Sequence, residues 1–154
     1  MLVPPMNDLR TRCPLAAALD FVGDRWIMVI LRDLFLGRKT FSEFISSPEG
    51  ISNTVLSDRL KKMQAYGLIA FVRDPNDRKI KYYYMTDSGI DLYPTMFELM
   101  SWTKRNTEIT FLKIAEDFFA AIDGKNRDDV IKESLESYKS EREELLAKTR
   151  SQPL

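Results

Sequence analysis

The chain has 154 residues, 44% of them hydrophobic and 30% charged, with 23 basic against 23 acidic side chains, no His and one Cys. A single core usually serves about 100–200 residues, so one domain with an appendage is expected. The missing His and lone Cys exclude His-dependent triads, imidazole zinc sites and internal disulfides, and we expect no metal and no cofactor. Apolar runs are far shorter than the ~20 residues of a membrane span, which predicts a cytoplasmic protein.

Charge is distributed unevenly along the chain. Residues 38–81 carry nine basic and five acidic groups, which gives +4, whereas residues 91–154 carry ten basic and thirteen acidic groups, which gives −3. The middle of the chain could therefore meet a polyanion, although an excess of this size is weak support for nucleic-acid binding.

Three short helices are predicted before residue 48. The first has an apolar stripe of Leu15, Ala18, Leu19 and Val22 and should stop at Gly23 in the left-handed conformation. Asp24 is a suitable N-cap for the second, which should end at Gly37. Its buried stripe comprises Trp26, Ile27, Ile30, Leu31 and Leu34. Thr40 and Glu43 have the spacing of a capping box, which predicts the start of the third.

A fourth helix and a hairpin follow. Ser52 is a plausible N-cap for a helix that ends near Gly67, with Leu56, Leu60 and Met63 on one face. Thr54, Ser57, Asp58 and Lys61 lie on the opposite face. Residues 68–72 and 81–85 are typical of strands, and residues 74–79 contain the turn residues of a hairpin tip with two cations, Arg78 and Lys79.

This order of elements suits duplex recognition. A helix fits the major groove, and a hairpin beside it can place a cation on phosphate or in the minor groove. Asn53 could pair with adenine, Lys61 could approach guanine or phosphate, and Thr54 and Ser57 could bond to either base type. A solvated helix beside an ordinary hairpin explains the periodicity equally well, and Asp58 would repel phosphate.

Several segments, in one order, resemble the HxlR-type winged helix-turn-helix transcriptional regulators. They are Cys13-Pro14, residues 19–26, residues 30–34, Phe41-Ser42-Glu43-Phe44, Gly50-Ile51-Ser52, Val55-Leu56-Ser57, Arg59-Leu60, Gly67-Leu68 and residues 85–89. The resemblance covers residues 13 to about 105. It implies a mainly α fold with a small β-hairpin, the winged helix-turn-helix, and a DNA-binding regulator. The fold is expected to carry additional N- and C-terminal helices, because the chain beyond residue 106 is longer than the usual ending of the family. No nucleophile–base pair or phosphate-binding glycine loop is present in the sequence, so an enzyme is not expected.

The resemblance also implies partners and site residues. It implies a homodimer on inverted-repeat operator DNA, with the helix from Ser52 to Tyr66 in the major groove and the hairpin as the wing. The hairpin tip is more similar to that of MarR-type regulators, in which an arginine enters the minor groove, so Arg78 is the best wing candidate. The predicted DNA-contacting residues are Ser52, Asn53, Thr54, Ser57, Arg59, Lys61, Arg78 and Lys79.

We expect three segments: an N-terminal arm over residues 1–12, a winged helix-turn-helix domain over residues 13–105, and a C-terminal helical extension over residues 106–154. The extension has an apolar stripe of Phe111, Ile114, Ala115, Phe118 and Ile122, interrupted by Gly124. A second stripe of Ile131, Leu135, Tyr138 and Leu145 resembles a short coiled-coil seam. The two helices could fold back on their own domain or form a dimer interface, and both alternatives remain open.

Regulation has two candidate routes. Cys13 lies where some members of the resembled family carry a redox-sensing cysteine, and a helix N-terminus beside Arg10 and Arg12 would stabilise a thiolate there. Met96 and Met100 could line a pocket for a small-molecule effector, although core packing is the commoner role of methionine. A winged-helix module that binds protein instead of DNA is the alternative function.

Overall fold

The computed structural model describes residues 12–150, and within that range the chain forms a mainly helical fold with one antiparallel two-stranded hairpin. The predicted fold class, a winged helix-turn-helix with extra helices, is confirmed. Most of the predicted N-terminal arm lies outside the described residues. The elements in chain order are α1 (Pro14–Val22), α2 (Arg25–Phe35), α3 (Phe41–Ile45), α4 (Asn53–Ala65), β1 (Ile69–Arg73), β2 (Lys81–Met85), α5 (Asp87–Ile90), α6 (Tyr93–Asn106), α7 (Lys113–Ala121) and α8 (Arg127–Arg150).

The junction between α1 and α2 corrects one prediction. Gly23 has φ −71° and ψ −12°, a right-handed conformation, so the predicted left-handed stop is wrong. Glycine is required there for space instead, because a Cβ at this position would lie 2.4 Å from the Leu19 carbonyl oxygen. Asp24 caps α2 as predicted, and its Oδ1 accepts a hydrogen bond from Trp26 N at 2.9 Å. The connection from α1 to α2 therefore contains no residue in the left-handed conformation.

The caps predicted for α3 and α4 are present. Thr40 and Glu43 form the capping box of α3. Ser52 caps α4, its Oγ accepting from Val55 N at 3.3 Å. The three apolar residues predicted for the inner face of α4, Leu56, Leu60 and Met63, are each at most 2% exposed. The opposite face of α4 is consequently turned to solvent, as amphipathic spacing requires.

The hairpin that forms the wing pairs β1 with β2 from Ile69 opposite Met85 to Arg73 opposite Lys81. Strand β1 begins one residue later than predicted, since Leu68 belongs to the turn after α4. At the tip, the Asp74 carboxylate accepts from Asn76 N and Asp77 N at 2.7 and 2.9 Å and from the Tyr82 hydroxyl at 2.7 Å. These bonds close the tip into a defined turn.

The C-terminal helices pack against the same chain. Val130, Ile131 and Tyr138 of α8 are buried, and Leu135 packs against the main core. The Tyr138 hydroxyl accepts from Met85 N at 2.9 Å, and Arg142 Nη1 donates to the Met85 carbonyl at 3.2 Å. The first three residues of the predicted seam, Ile131, Leu135 and Tyr138, therefore pack against their own chain, and Tyr138 joins α8 to the base of the wing. In α7 the buried side chain is Phe119, which lies outside the predicted stripe, whereas Ile114 is 58% exposed.

Candidate nucleic-acid interface

The outward face of α4 carries the polar side chains predicted to contact bases. Asn53 and Thr54 are exposed in the first turn, and Lys61 is exposed two turns later. Asn53, Ser57 and Lys61 are spaced at i, i+4 and i+8, so they share one stripe of the helix. The Ser52 hydroxyl is engaged in its cap, which leaves its remaining hydrogen-bonding capacity for an outside partner.

A groove of about 470 Å³ lies between α4, the start of α3 and the wing. It brings Ser57 and Lys61 of α4 together with Lys79 of the wing. The lining among the described residues includes three lysines and no carboxylate: Thr40, Phe41, Ser42, Ser57, Leu60, Lys61, Gln64, Lys79, Ile80, Lys81 and Tyr83. A groove with this composition is suited to an anionic backbone.

Four polar residues of this groove were missed at the sequence level. Thr40 and Ser42 carried only the signal of a helix start, Gln64 gave no signal, and Lys81 was assigned only to a strand. The Lys81 ammonium lies 4.3 Å from the centroid of the Phe71 ring, which holds it beside the wing. Antiparallel pairing across the hairpin could have indicated that residues 79 and 81 lie near α4, but only once the packing of the wing was known.

Arg78 and Lys79, predicted as neighbours at the wing tip, have different surroundings. Both are exposed. Lys79 lines the groove, whereas Arg78 is outside that lining. The Arg78 carbonyl accepts from Arg73 Nη1 at 2.6 Å, and Lys79 N donates to Asp77 Oδ1 at 3.0 Å. The backbone at both positions is therefore anchored while the charged ends extend from the tip.

Arg59 has partners within the chain. Its Nε and Nη2 lie 2.9 and 2.8 Å from Asp24 Oδ2, and its Nη1 is bonded to Asp58. The hydrogen bond from Arg59 is the main reason that the pKa of Asp24 lies below its usual value. Arg59 thereby ties α4 to the N-terminus of α2, and because Asp58 is paired with Arg59, it repels phosphate less than an unpaired carboxylate would.

The carboxylates near the interface are held by hydrogen bonds. Glu43 Oε2 accepts from Lys39 N and Thr40 N at 2.7 and 2.8 Å. Asp74 and Asp77 accept from backbone N–H groups of the wing tip. Backbone donors stabilise the charged form of these carboxylates, and none of the three carboxylates lines the groove.

A charged cluster that the sequence did not predict fixes the turn before α4. Asp33 is 1% exposed, and its Oδ1 accepts from Arg32 Nη2 and Arg38 Nη1, both at 2.7 Å. Arg32 also pairs with Glu49, and Ser47 Oγ donates to Glu49 Oε2 at 2.6 Å. The bond from Arg32 lowers the pKa of Glu49 to about 2. These contacts join the end of α2 to residues 47–49 and so set where α4 begins.

Cys13 is exposed and occupies the N-cap position of α1. Its carbonyl accepts from Ala17 N at 2.9 Å, so its backbone is part of the first helical turn. Of the two arginines expected beside it, Arg10 lies outside the described residues and Arg12 is exposed.

Comparison with known proteins identifies the family. The model of the HxlR-like helix-turn-helix family matches residues 21–110, which is more than half of the chain and includes the groove, α4 and the wing. The chain belongs to this family. Its members are DNA-binding transcriptional regulators of the helix-turn-helix type, not enzymes. Helices α7 and α8 lie beyond the matched residues. No helix within residues 12–150 combines the length and apolarity needed to cross a membrane.

Individual relatives agree with this assignment. The chain is 35% identical over 85 residues to the uncharacterized HTH-type transcriptional regulator Rv3095 of Mycobacterium tuberculosis, a match that covers 55% of this chain and 53% of that relative. It therefore spans about half the length of that regulator. With the uncharacterized HTH-type transcriptional regulator YvaP of Bacillus subtilis it shares 31% identity over 101 residues, covering 65% and 94% of the two chains.

Solved structures show the same fold. Superposition on the crystal structure of the protein PA1607 gives a TM-score of 0.60 at 29% sequence identity, and the match covers 67% of this chain and 73% of PA1607. The reduced form of the transcriptional regulator YodB from Bacillus subtilis gives 0.53 at 27% identity, covering 64% and 97%. Its diamide-treated form gives 0.50 at 26% identity, covering 65% and 100%.

Proposed function

We propose that this regulator binds a specific inverted-repeat operator in double-stranded DNA as a homodimer. The main observation that supports the proposal is the groove. Lys61 of α4 and Lys79 and Lys81 of the wing line it together, and its lining among the described residues contains no carboxylate. Lysines placed in this way neutralise phosphates of one duplex segment and release the counterions condensed on it.

Sequence selectivity would come from the first turns of α4. Asn53 can form a bidentate pair with adenine, and Thr54 and Ser57 can bond to base edges in the major groove. Arg78 would reach the neighbouring minor groove or a phosphate from the wing tip, with Lys79 on the backbone. Ser52 would contact phosphate near the helix start. Arg59 would hold α4 in position through its ion pair with Asp24, and a contact between Arg59 and DNA would be additional to this role.

The homodimer is supported by large apolar side chains that the single chain leaves in water. Leu15 and Leu19 of α1 are 69% and 55% exposed, and Leu99 and Trp102 of α6 are 54% and 56% exposed. Exposed apolar groups of this size favour an interface. A two-fold dimer would present two copies of α4 at the separation of one duplex turn, about 34 Å, as a palindrome requires. Such a regulator would act in the cytoplasm, where its operator lies.

Cys13 is the proposed point of regulation by oxidants or electrophiles. It is exposed at the start of α1, a helix of the proposed dimer interface. A thiol in this position could form a disulfide between protomers or with a small thiol, and either product would alter the packing of α1.

Selection of bound sequences from a random duplex library tests the proposal. We expect enrichment of an inverted repeat with half-sites one turn apart, and a dimeric mass by light scattering at micromolar concentration. Failure to enrich any sequence would contradict DNA recognition and favour a winged-helix module that binds protein. A monomeric mass would reject the homodimer even if a single half-site were enriched.

A further inference from the structure

A second cavity, separate from the groove, lies between α2, α6, α7 and α8. Its volume is about 720 Å³. Binding sites for small molecules usually measure about 300–1,000 Å³ and are mostly apolar. Aromatic and thioether side chains dominate its wall, including Phe35, Tyr93, Met96, Met100, Phe118 and Phe119. The cavity therefore has the size and composition of a site for an organic ligand.

The inner wall is rigid in one part and adaptable in another. The rings of Phe35 and Tyr93 pack with centroids 4.4 Å apart, and those of Phe118 and Phe119 pack at 5.5 Å. Met96 is buried. Methionine side chains can adjust their rotamers to the outline of a ligand, whereas the tilted aromatic rings offer flat faces against which a ligand ring can pack. This combination suits a planar aromatic molecule.

The charged residues around the cavity disfavour an anionic ligand. Its charged lining residues are Arg32, Arg38, Glu133 and Glu141. Both arginines already pair with Asp33, so neither presents an uncompensated cation. Inside, the Tyr93 hydroxyl bonds to Ser134 Oγ at 3.0 Å and the Tyr138 hydroxyl accepts from Met85 N. A neutral ligand is thus favoured over an anion, which would meet two glutamates without an uncompensated cation nearby.

The surroundings also distinguish this cavity from the surface expected to meet a second copy. The exposed apolar residues of α1 and of the outer face of α6, Leu15, Leu19, Leu99 and Trp102, are not part of its lining. Leu112 and Ile114 stand at its mouth, 60% and 58% exposed. A ligand seated in the cavity would remove these two side chains from water and gain affinity by doing so.

Helix α8 connects the cavity with the wing. Ser134 and Tyr138 line the cavity, and the hydroxyl of the same Tyr138 holds the Met85 amide at the end of β2. Arg142, one turn further, bonds to the Met85 carbonyl and to Asp87. A ligand that shifts α8 would therefore change the support of the wing. A ligand can shift α8 only if it binds one arrangement of that helix more tightly than another.

We infer that the cavity between α2, α6, α7 and α8 binds a neutral, planar aromatic molecule and that its occupancy changes the affinity of the wing for DNA. The second half of this inference rests on the proposed function, and the first half does not. Binding can therefore be measured on the protein without DNA.

The binding test uses N-phenyl-1-naphthylamine, a neutral dye whose fluorescence rises in apolar surroundings. We expect saturable binding to the full chain. Ala115 lines the cavity and Ala120, on the same helix, is exposed outside it. Ala115→Phe should weaken dye binding by about tenfold or more, because an apolar site rejects added bulk by such factors, while Ala120→Phe should bind as the parent does.

Two further measurements keep the test decisive. Ser137→Trp fills the mouth from an exposed position and should weaken the dye even if Ala115→Phe does not fold. The sulfonated dye 1-anilinonaphthalene-8-sulfonate should bind more weakly than its neutral relative. Unsaturable dye binding, parental affinity in both cavity variants, or equal affinity for the sulfonated dye would overturn the assignment.

The oligomeric state and the operator affinity distinguish a ligand site from a protein interface. If Ala115→Phe converts a dimer to a monomer, a second copy occupies the cavity and the inference is wrong. If the dye binds but operator affinity is the same with and without it, the coupling through α8 is wrong. If no operator is found, the proposed function is refuted. The dye measurements would still show whether the cavity is a ligand-binding site.

Discussion

The contact between Tyr138 and the base of the wing gives a sharp prediction for Tyr138→Phe. The substitution removes one oxygen and keeps the ring, which packs 5.0 Å from Phe35. The Met85 amide then loses the acceptor at 2.9 Å. Tyr138 is 7% exposed and Met85 is 0% exposed. Bulk water therefore does not reach the Met85 amide in the folded chain.

The expected cost follows from that burial. A buried N–H without an acceptor costs about 1–3 kcal/mol, more than the net gain from an ordinary hydrogen bond. In a chain of this length each kcal/mol lowers Tm by about 2–4 °C. Urea unfolding followed by circular dichroism should therefore show a lower midpoint with an unchanged dependence on denaturant, since the packing of the ring is retained.

Tyr82→Phe is the matched control. Its hydroxyl bonds to Asp74 at the wing tip, where the pKa of the carboxyl is lowered by that same bond. Loss of a bond at this solvent-accessible site should lower the urea midpoint much less than Tyr138→Phe does. Equal losses in the two variants would show that the Met85 amide is rehydrated and that α8 does not seal the wing.

The same residue predicts a response to alkaline pH. Burial is the main cause that raises the pKa of Tyr138 to about 12, against an ordinary value of 10.0. Between these values the unfolded chain ionises and the folded chain does not, so stability is full below pH 10 and falls as pH rises toward 12, by up to about 1.4 kcal/mol per pH unit. In the Tyr138→Phe variant the free energy of unfolding should therefore decrease less between pH 10 and pH 12 than it does in the parent protein.

Five further predictions concern DNA recognition, redox response and the charged clusters. Asn53→Ala should reduce the binding free energy by roughly 1–3 kcal/mol on the operator and by far less on scrambled duplex. Arg78→Ala should weaken binding to both duplexes and, if Arg78 contacts phosphate, lower the slope of affinity against salt concentration by about 1. Equal losses on both duplexes for Asn53→Ala would show that this face of α4 does not contact the bases. If Arg78 enters the minor groove, its loss should cost most on A·T-rich flanks. Cys13→Ser should abolish any change in operator affinity caused by diamide, and a persisting response would exclude Cys13 as the sensor. Because Arg32 holds the pKa of Glu49 near 2, against 4.5 ordinarily, the stabilisation by this pair is complete above pH 4.5 and lost as pH falls toward 2. Glu49→Gln should flatten acid unfolding in that window, and an unchanged acid profile would contradict it. A double-mutant cycle of Asp24→Asn and Arg59→Ala should give a coupling of about 0.5–1 kcal/mol, and additive losses would mean that Arg59 does not tether α4.

Local signals predicted the helices and their caps well. The capping box at Thr40, the N-cap at Ser52 and the inner face of α4 depend on residues spaced three or four positions apart, so spacing alone reveals them. The exposed polar face of α4 follows from the same spacing. Which of its side chains contact DNA stays a prediction, because contact depends on a partner that the sequence does not contain.

Long-range contacts could not be predicted in the same way. Asp33 reads as a charge that interrupts an apolar run, yet it is buried because Arg38 and Arg32 fold over it. The bond between Tyr138 and Met85 joins residues 53 positions apart. The position of Gly23 was predicted and its conformation was not, because the demand for space arises from the Leu19 carbonyl. All three features depend on contacts in the folded structure that the local sequence pattern does not specify.

Helix α1 has a consequence for how the protein behaves on dilution. It is nine residues long, has no fully buried side chain, and leaves Leu15 and Leu19 in solvent. A helix this short is marginal in water without tertiary support. If association in the proposed dimer supplies that support, the order of α1 becomes a function of protein concentration, and the thiol of Cys13 becomes more accessible to reagents as the proposed dimer dissociates. Cellular abundance would then set the reactivity of Cys13 as much as its chemistry does.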